Sequence, residues 1–196
     1  MRVVITGGPS VGKTTIISGL SQLGFTVVEE FATKILKEGE ILPWVDRVGF
    51  QTEVLRRQLF AEESLKCTEE IVFLDRGLFD GEAYYIKDKL PTPEIFSTLD
   101  ASKYTVAFLI EPLDSFDQND IRRENLEFTN EITTILEECY RGRGVTVIRV
   151  PAMPPEPRVE FVLTQVRDLI GTKVKTKAPD MPLSMDPELK LSLTLA

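Results

Sequence analysis

Gly7-Gly8-Pro9-Ser10-Val11-Gly12-Lys13-Thr14 fills every fixed place of the pattern GxxxxGK[ST]. Its surroundings fit as well. The apolar run Val3-Val4-Ile5 leads straight into it, and Thr14 to Leu23 follows with Ile16, Ile17, Leu20 and Leu23 at helical spacing. The chemistry needs these residue types in this order. Glycines let successive backbone N–H groups curl around an anion, and the start of the next helix adds its positive dipole end. Lys13 reaches the outer phosphates of a nucleoside triphosphate, ATP or GTP. Thr14 offers a hydroxyl to Mg²⁺, and Thr15 extends the nucleotide-side stretch.

Further along the chain, short β-branched and aromatic runs alternate with helical patterns. The runs are Thr26–Val28, Ile71–Leu74, Thr105–Ile110 and Val145–Ile148. Several are apolar at consecutive positions, as strands covered on both faces should be. The alternation predicts an α/β, three-layer P-loop NTPase with a parallel five-stranded sheet and helices on both faces. Phe50 to Leu65 reads as an amphipathic helix, with Phe50, Val54, Leu55, Leu59 and Phe60 inward and Arg56, Glu62 and Glu63 outward. The domain is expected over 1–170. The Lys- and Pro-bearing stretch 171–196, without helical period, is expected to be extended or disordered and could meet a protein partner.

Composition sets limits. The 196 residues suffice for one buried core, and no stretch nears the roughly 18 apolar residues of a membrane span. The formal charge of −8 argues against general nucleic-acid binding, which needs a basic surface. The absence of histidine excludes an imidazole base, leaving proton transfer to carboxylates. Cys67 and Cys139 have no zinc spacing and read as reduced thiols of a cytoplasmic protein.

Ligands of such sheets lie beyond the carboxyl ends of the strands, so the residues there are the candidates. Asp75 is read as an acid on the magnesium shell, with a helix cap as the alternative. Arg76 either pairs with Asp80 or grips a substrate oxygen. Glu29 and Glu30 point opposite ways at a strand end, so one of them faces the pocket, with a pair of solvated helix-start acids as the alternative. Glu30 is the preferred base for a substrate hydroxyl, and Glu29 is counted with Arg76 on the substrate side. The polar segment from Glu111 to Glu127 carries Asp120-Ile121-Arg122-Arg123-Glu124. There Arg122 and Arg123 are read as lid arginines, against the alternative of a charged helix start.

The stretches VVITGGPSVGKTT, Glu29-Glu30, Phe50-Gln51, FLDRGLFDGEAYY, DIRRE and Val150-Pro151 together resemble the NadR-like ATPase/kinase AAA domain family, over roughly Met1 to Leu169. The resemblance implies the strand order 2-3-1-4-5 of nucleoside and nucleotide kinases. It implies triphosphate and Mg²⁺ on Gly12, Lys13 and Thr14, and a loop at Pro151-Ala152 against the nucleotide base. It also implies a substrate-side glutamine at Gln51. The sensor and Arg-finger arrangement of a ring-forming motor is not found. The leading expectation is transfer of the γ-phosphoryl group to a hydroxyl of a small molecule such as a nucleoside. A nucleotide-dependent switch and a polynucleotide 5′-kinase stand as alternatives. No NKxD motif favours GTP in the switch reading.

Overall fold

The computed structural model describes residues 1–65, 70–112 and 126–173. Strand β1 (Arg2–Thr6) leads into α1 (Lys13–Gln22), followed by β2 (Thr26–Val28), α2 (Phe31–Glu38) and α3 (Arg47–Ser64). Then come β3 (Val72–Asp75), α4 (Leu78–Lys87), the short α5 (Ile95–Thr98), β4 (Tyr104–Ile110), α6 (Leu126–Arg141), β5 (Val147–Val150) and α7 (Pro155–Lys173). The five strands form one sheet in the order β2-β3-β1-β4-β5, and every neighbouring pair is parallel. The expected fold class and strand order are therefore found.

Alternation along the strands builds the layers. Val3 and Ile5 of β1 face α1 and α7, in a core with Ile16, Leu20, Val159 and Val162. Val4 faces the other way, onto Phe79 of α4 and Ile132, Leu136 and Tyr140 of α6. All of these side chains are at most 2% exposed, each contributing roughly 1.5–3 kcal/mol of burial free energy. Among the described residues no helix is long and apolar enough to cross a membrane.

Helix α7 runs to Lys173, past the expected domain end at 170, and the rest of the 171–196 stretch lies outside the described residues. The fifth strand and helix α3 also differ from the sequence expectation. The fifth strand begins at Val147 rather than Val145, because Gly144 turns back at φ +76° and the Val145 amide still bonds to the Tyr140 carbonyl. Helix α3 is rotated from its expected phase: Phe60 is 70% exposed, while Glu62 is fully buried. The inward stripe is Gln51, Leu55, Gln58 and Glu62, at spacings of three and four residues. Glu62 can lie inside because it has partners. It accepts from the Tyr104 hydroxyl at 2.7 Å and from Gln58 Nε2 at 2.9 Å, with the guanidinium of Arg2 3.5 Å away.

The Tyr104 hydroxyl also accepts from the Leu78 amide at 3.0 Å, tying α3 and β4 to the start of α4. Tyr104→Phe removes both bonds, leaving the buried Leu78 N–H unpaired and the buried Glu62 carboxylate one donor short. We expect a loss of about 1–3 kcal/mol, measured as a lowered urea midpoint with unchanged slope.

Candidate active site

The loop between β1 and α1 lies at the carboxyl edge of the sheet. Gly7 has φ +143°, and a Cβ there would sit 2.8 Å from the Ile110 carbonyl oxygen. Gly12, at φ +91°, caps α1 in a backbone region that side chains rarely adopt. Lys13 is buried under the loop, and its Nζ donates to the Gly8 carbonyl at 2.7 Å. Burial, helped by the nearby Arg76 guanidinium, lowers its pKa to about 8. Thr14 is exposed at the first turn of α1, its neighbour Thr15 half-buried.

Asp75 ends β3 in register with Ile5, which brings its carboxylate to the loop. It is 3% exposed, and its Oδ1 has no hydrogen-bond partner. Burial pushes its pKa up to about 6, outweighing the attraction of Lys13 and Arg76. An orphaned buried acid is costly to keep, and one beside a triphosphate loop has the chemistry of a Mg²⁺ ligand. Asp75 does not cap α4; the Asp80 carboxylate does so, accepting from the Gly77 amide at 3.0 Å.

Arg76 turns the chain from β3 into α4 at φ +72°, a strained position for a residue with a side chain. Its Nε donates to Glu30 at 2.6 Å, and one terminal nitrogen donates to Asp80 at 3.1 Å and to the Gly7 carbonyl at 3.3 Å. Its guanidinium also lies 5.3 Å from the centre of the Tyr84 ring. Of the two readings of Arg76, pairing with Asp80 is thus present, extended to Glu30. Burial alone would raise the Glu30 pKa, but the Arg76 charge and hydrogen bonds from Arg76 and Thr33 bring it down to about 2.

Beside the loop, a cleft of about 230 Å³ opens between α2, α3 and α4. Glu30, Gln51, Arg76 and Pro9 line it, together with apolar wall from Phe31, Phe50 and Val54. The structure therefore brings Glu30, Gln51 and Arg76 to one cavity next to the phosphate loop. Glu29 is a correction. Counted on the acceptor side from sequence, it instead points to solvent and pairs with Lys34 at 2.9 Å, because successive residues at a strand end face opposite ways. Pro151 and Ala152 are exposed just past β5, at the same sheet edge. Arg122 and Arg123 lie outside the described residues.

Sequence reading missed Arg158 and underrated Asp80. Arg158 is buried on α7 and donates to the Val11 carbonyl at 2.5 Å and the Glu111 carbonyl at 3.0 Å, clamping the loop to the end of β4. Nothing local in Pro157-Arg158-Val159 signals that. Asp80 accepts from Thr6, Arg76, the Gly77 amide and Tyr140. The capping-box spacing from Gly77 to Asp80 was its available signal. Among the described residues no group of three or more His, Cys, Asp or Glu side chains could hold a metal on its own. A cation here would need ligands from the nucleotide as well.

The sheet order, the glycine loop and the cleft beside it define a P-loop protein with the fold of small-molecule kinases. Comparison with known proteins agrees: a family model described as an AAA domain matches residues 2–158, and the chain belongs to that family. No curated protein matches the chain. Among solved structures, NadR in complex with NR aligns over 90% of this chain at 20% identity, with a TM-score of 0.63. The match covers 52% of NadR, so the chain spans about half of that protein's length. Deoxyadenosine kinase from M. mycoides aligns over 86% of this chain and 100% of its own, at 14% identity and a TM-score of 0.57. Shikimate kinase from Aquifex aeolicus aligns over 86% and 97%, at 17% identity and a TM-score of 0.52. These likenesses concern the fold.

Proposed function

We propose that the protein is a kinase moving the γ-phosphoryl group of ATP to a hydroxyl of a small molecule, of which a nucleoside is the leading example. The observation that carries this reading is the open cleft beside the phosphate loop, with Glu30, Gln51 and Arg76 on its wall. A switch that only binds and hydrolyses nucleotide has no use for a second cavity at that place. The wall mixes apolar and aromatic surface with a few polar groups, which suits a flat organic ring.

Thr14 and Asp75 would hold Mg²⁺, which supplies neutralisation of phosphate charge when bound. Lys13, released from the Gly8 carbonyl, would meet the outer phosphate oxygens, with Arg122 and Arg123 closing from the segment after β4. Pro151 and Ala152 would flank the nucleotide base. Glu30 accepts a hydrogen bond from the acceptor hydroxyl and fixes its oxygen in line. With its pKa near 2 it is a weak base, so the proton leaves late. That suits phosphoryl transfer through a loose transition state, where positioning dominates. Glu30→Gln is expected to lower kcat by about 10²-fold with a smaller change in KM.

The site of the acceptor is tested by filling the cleft. ADP formation is followed with pools of nucleosides and simple alcohols. The wild-type rate should rise with at least one pool. Val54→Trp should remove that rise while nucleotide binding persists. Stimulation surviving in Val54→Trp would place the acceptor elsewhere.

A further inference from the structure

Arg158 is a buried cation for which the proposed chemistry has no use. It sits in the first turn of α7, 2% exposed, and no ion pair among the described residues includes it. Its two terminal nitrogens donate to the backbone carbonyls of Val11 and Glu111, at 2.5 and 3.0 Å. Its Nε has no partner. Glu111 is the acid whose charge Arg158 feels, yet its carboxylate turns to Arg149 at 3.4 Å. Tying α7 to two carbonyls calls for donors, not for a full charge, and burying a charge with no acid beside it is costly. A neutral donor would serve a clamp.

The place of the guanidinium gives the charge a purpose. A Cβ built on Gly12 would lie 3.3 Å from its terminal nitrogen, so the cation stands directly behind the loop. Helix α7 holds it there. Val159 packs so closely onto Gly19 of α1 that a Cβ on Gly19 would come within 2.9 Å of it, and the Arg158 amide donates to the Pro154 carbonyl at 3.3 Å. In a trans peptide the C=O and the next N–H point opposite ways, and no described peptide bond is cis. Fixing the Val11 carbonyl toward Arg158 therefore turns the Gly12 N–H the other way. A cation on the carbonyl also polarises that peptide and makes its N–H a stronger donor. Gly12 caps α1 immediately before Lys13, the residue read as reaching the outer phosphates. We infer that Arg158 is a positioning residue for the outer phosphates of the nucleotide, aiming and polarising the Gly12 N–H from behind the loop. It works through the Val11–Gly12 peptide and not by contact with the nucleotide. This role requires that the loop bind a triphosphate, as proposed above, and it holds for any acceptor.

The test compares the full-length wild type with Arg158→Gln, which keeps a neutral donor, and Arg158→Lys, which keeps the charge but only one carbonyl bond. Calorimetry gives the affinity for Mg²⁺–ATP, displacement of bound ATP gives that for AMP, and urea unfolding checks that each variant folds. Should GTP bind tighter than ATP, GTP and GMP take their places. Arg158→Gln should weaken ATP about 50-fold and AMP by no more than about threefold. Arg158→Lys should weaken ATP only about fivefold and leave AMP unchanged. A folded Arg158→Gln that binds ATP like the wild type, or loses ATP and AMP equally, would overturn the assignment, because a purely structural clamp acts on both alike. So would an Arg158→Lys that binds ATP no better than Arg158→Gln. Should Arg158→Gln not fold, Arg158→Lys decides alone: ATP and AMP both unchanged, or both equally weakened, would overturn it. A wild type that binds neither ATP nor GTP would instead sink the nucleotide reading itself, a separate failure.

Discussion

Lys13→Met is expected to lower kcat/KM of the proposed phosphoryl transfer by about 10³-fold, and at the same time to make the protein without nucleotide more stable at pH 7. The two effects have one origin. Lys13 is 6% exposed, and among the described residues its hydrogen-bond partner is the neutral Gly8 carbonyl. Folding therefore lowers its pKa from 10.5 to about 8, with burial the largest cause. That fall corresponds to roughly 3 kcal/mol of stability forfeited while the group is charged. The sign follows from proton counting. Between pH 8 and 10.5 the unfolded chain binds more protons than the native one, so wild-type stability rises with pH across that window. Methionine has similar length and no charge, so the variant should lose this dependence and gain up to about 3 kcal/mol at pH 7. Urea unfolding at pH 7 and at pH 10, with and without ATP, measures both. A variant less stable than the wild type at pH 7 would mean that the buried ammonium is structural rather than held ready for phosphate.

Asp75→Asn is expected to act in the same opposed way. Activity falls by about 10²- to 10³-fold, because the residue proposed as the protein's acid on the Mg²⁺ shell is gone. Stability without ligand rises, because the carboxylate is buried with Oδ1 unpartnered and its pKa pushed from 3.8 to about 6. Here the native state binds the extra proton, so wild-type stability falls as pH rises from about 4 to 6 and the loss is complete above it. The amide variant removes that loss, worth about 3 kcal/mol at pH 7. Mg²⁺ with nucleotide should raise the wild-type melting temperature much more than that of the variant. Equal stabilisation of both by Mg²⁺–nucleotide would remove Asp75 from the metal site.

What could be read from sequence follows the range of the interactions concerned. The loop Gly7 to Thr14 is a local device: its glycine conformations, lysine and threonine are all consecutive, so the motif was complete on the page. The parallel sheet followed from the alternation of buried runs, and its strand order from the resemblance the motifs carried. Strand pleating sends Glu29 and Glu30 to opposite sides, which said that one of them meets the cleft and left open which. Arg158 was invisible, since its partners Val11 and Glu111 are remote in sequence and are backbone carbonyls, which carry no residue signature. Glu62 was misplaced for a related reason. A glutamate on an amphipathic helix is ordinarily outward, and only the approach of Tyr104 and Arg2 from other elements makes its burial tolerable. The cleft itself comes from the packing of three helices against the loop, which no local pattern encodes.

The choice between kinase and switch turns on where the γ-phosphoryl group goes. The protein, Mg²⁺ and γ-labelled ATP are incubated with a broad panel of nucleosides and other hydroxyl compounds, and the labelled products are separated. Label is expected in an organic phosphate ester for at least one compound, and is expected to be lost in Lys13→Met and in Asp75→Asn. Label recovered only as inorganic phosphate, at one rate with or without any compound, would contradict it.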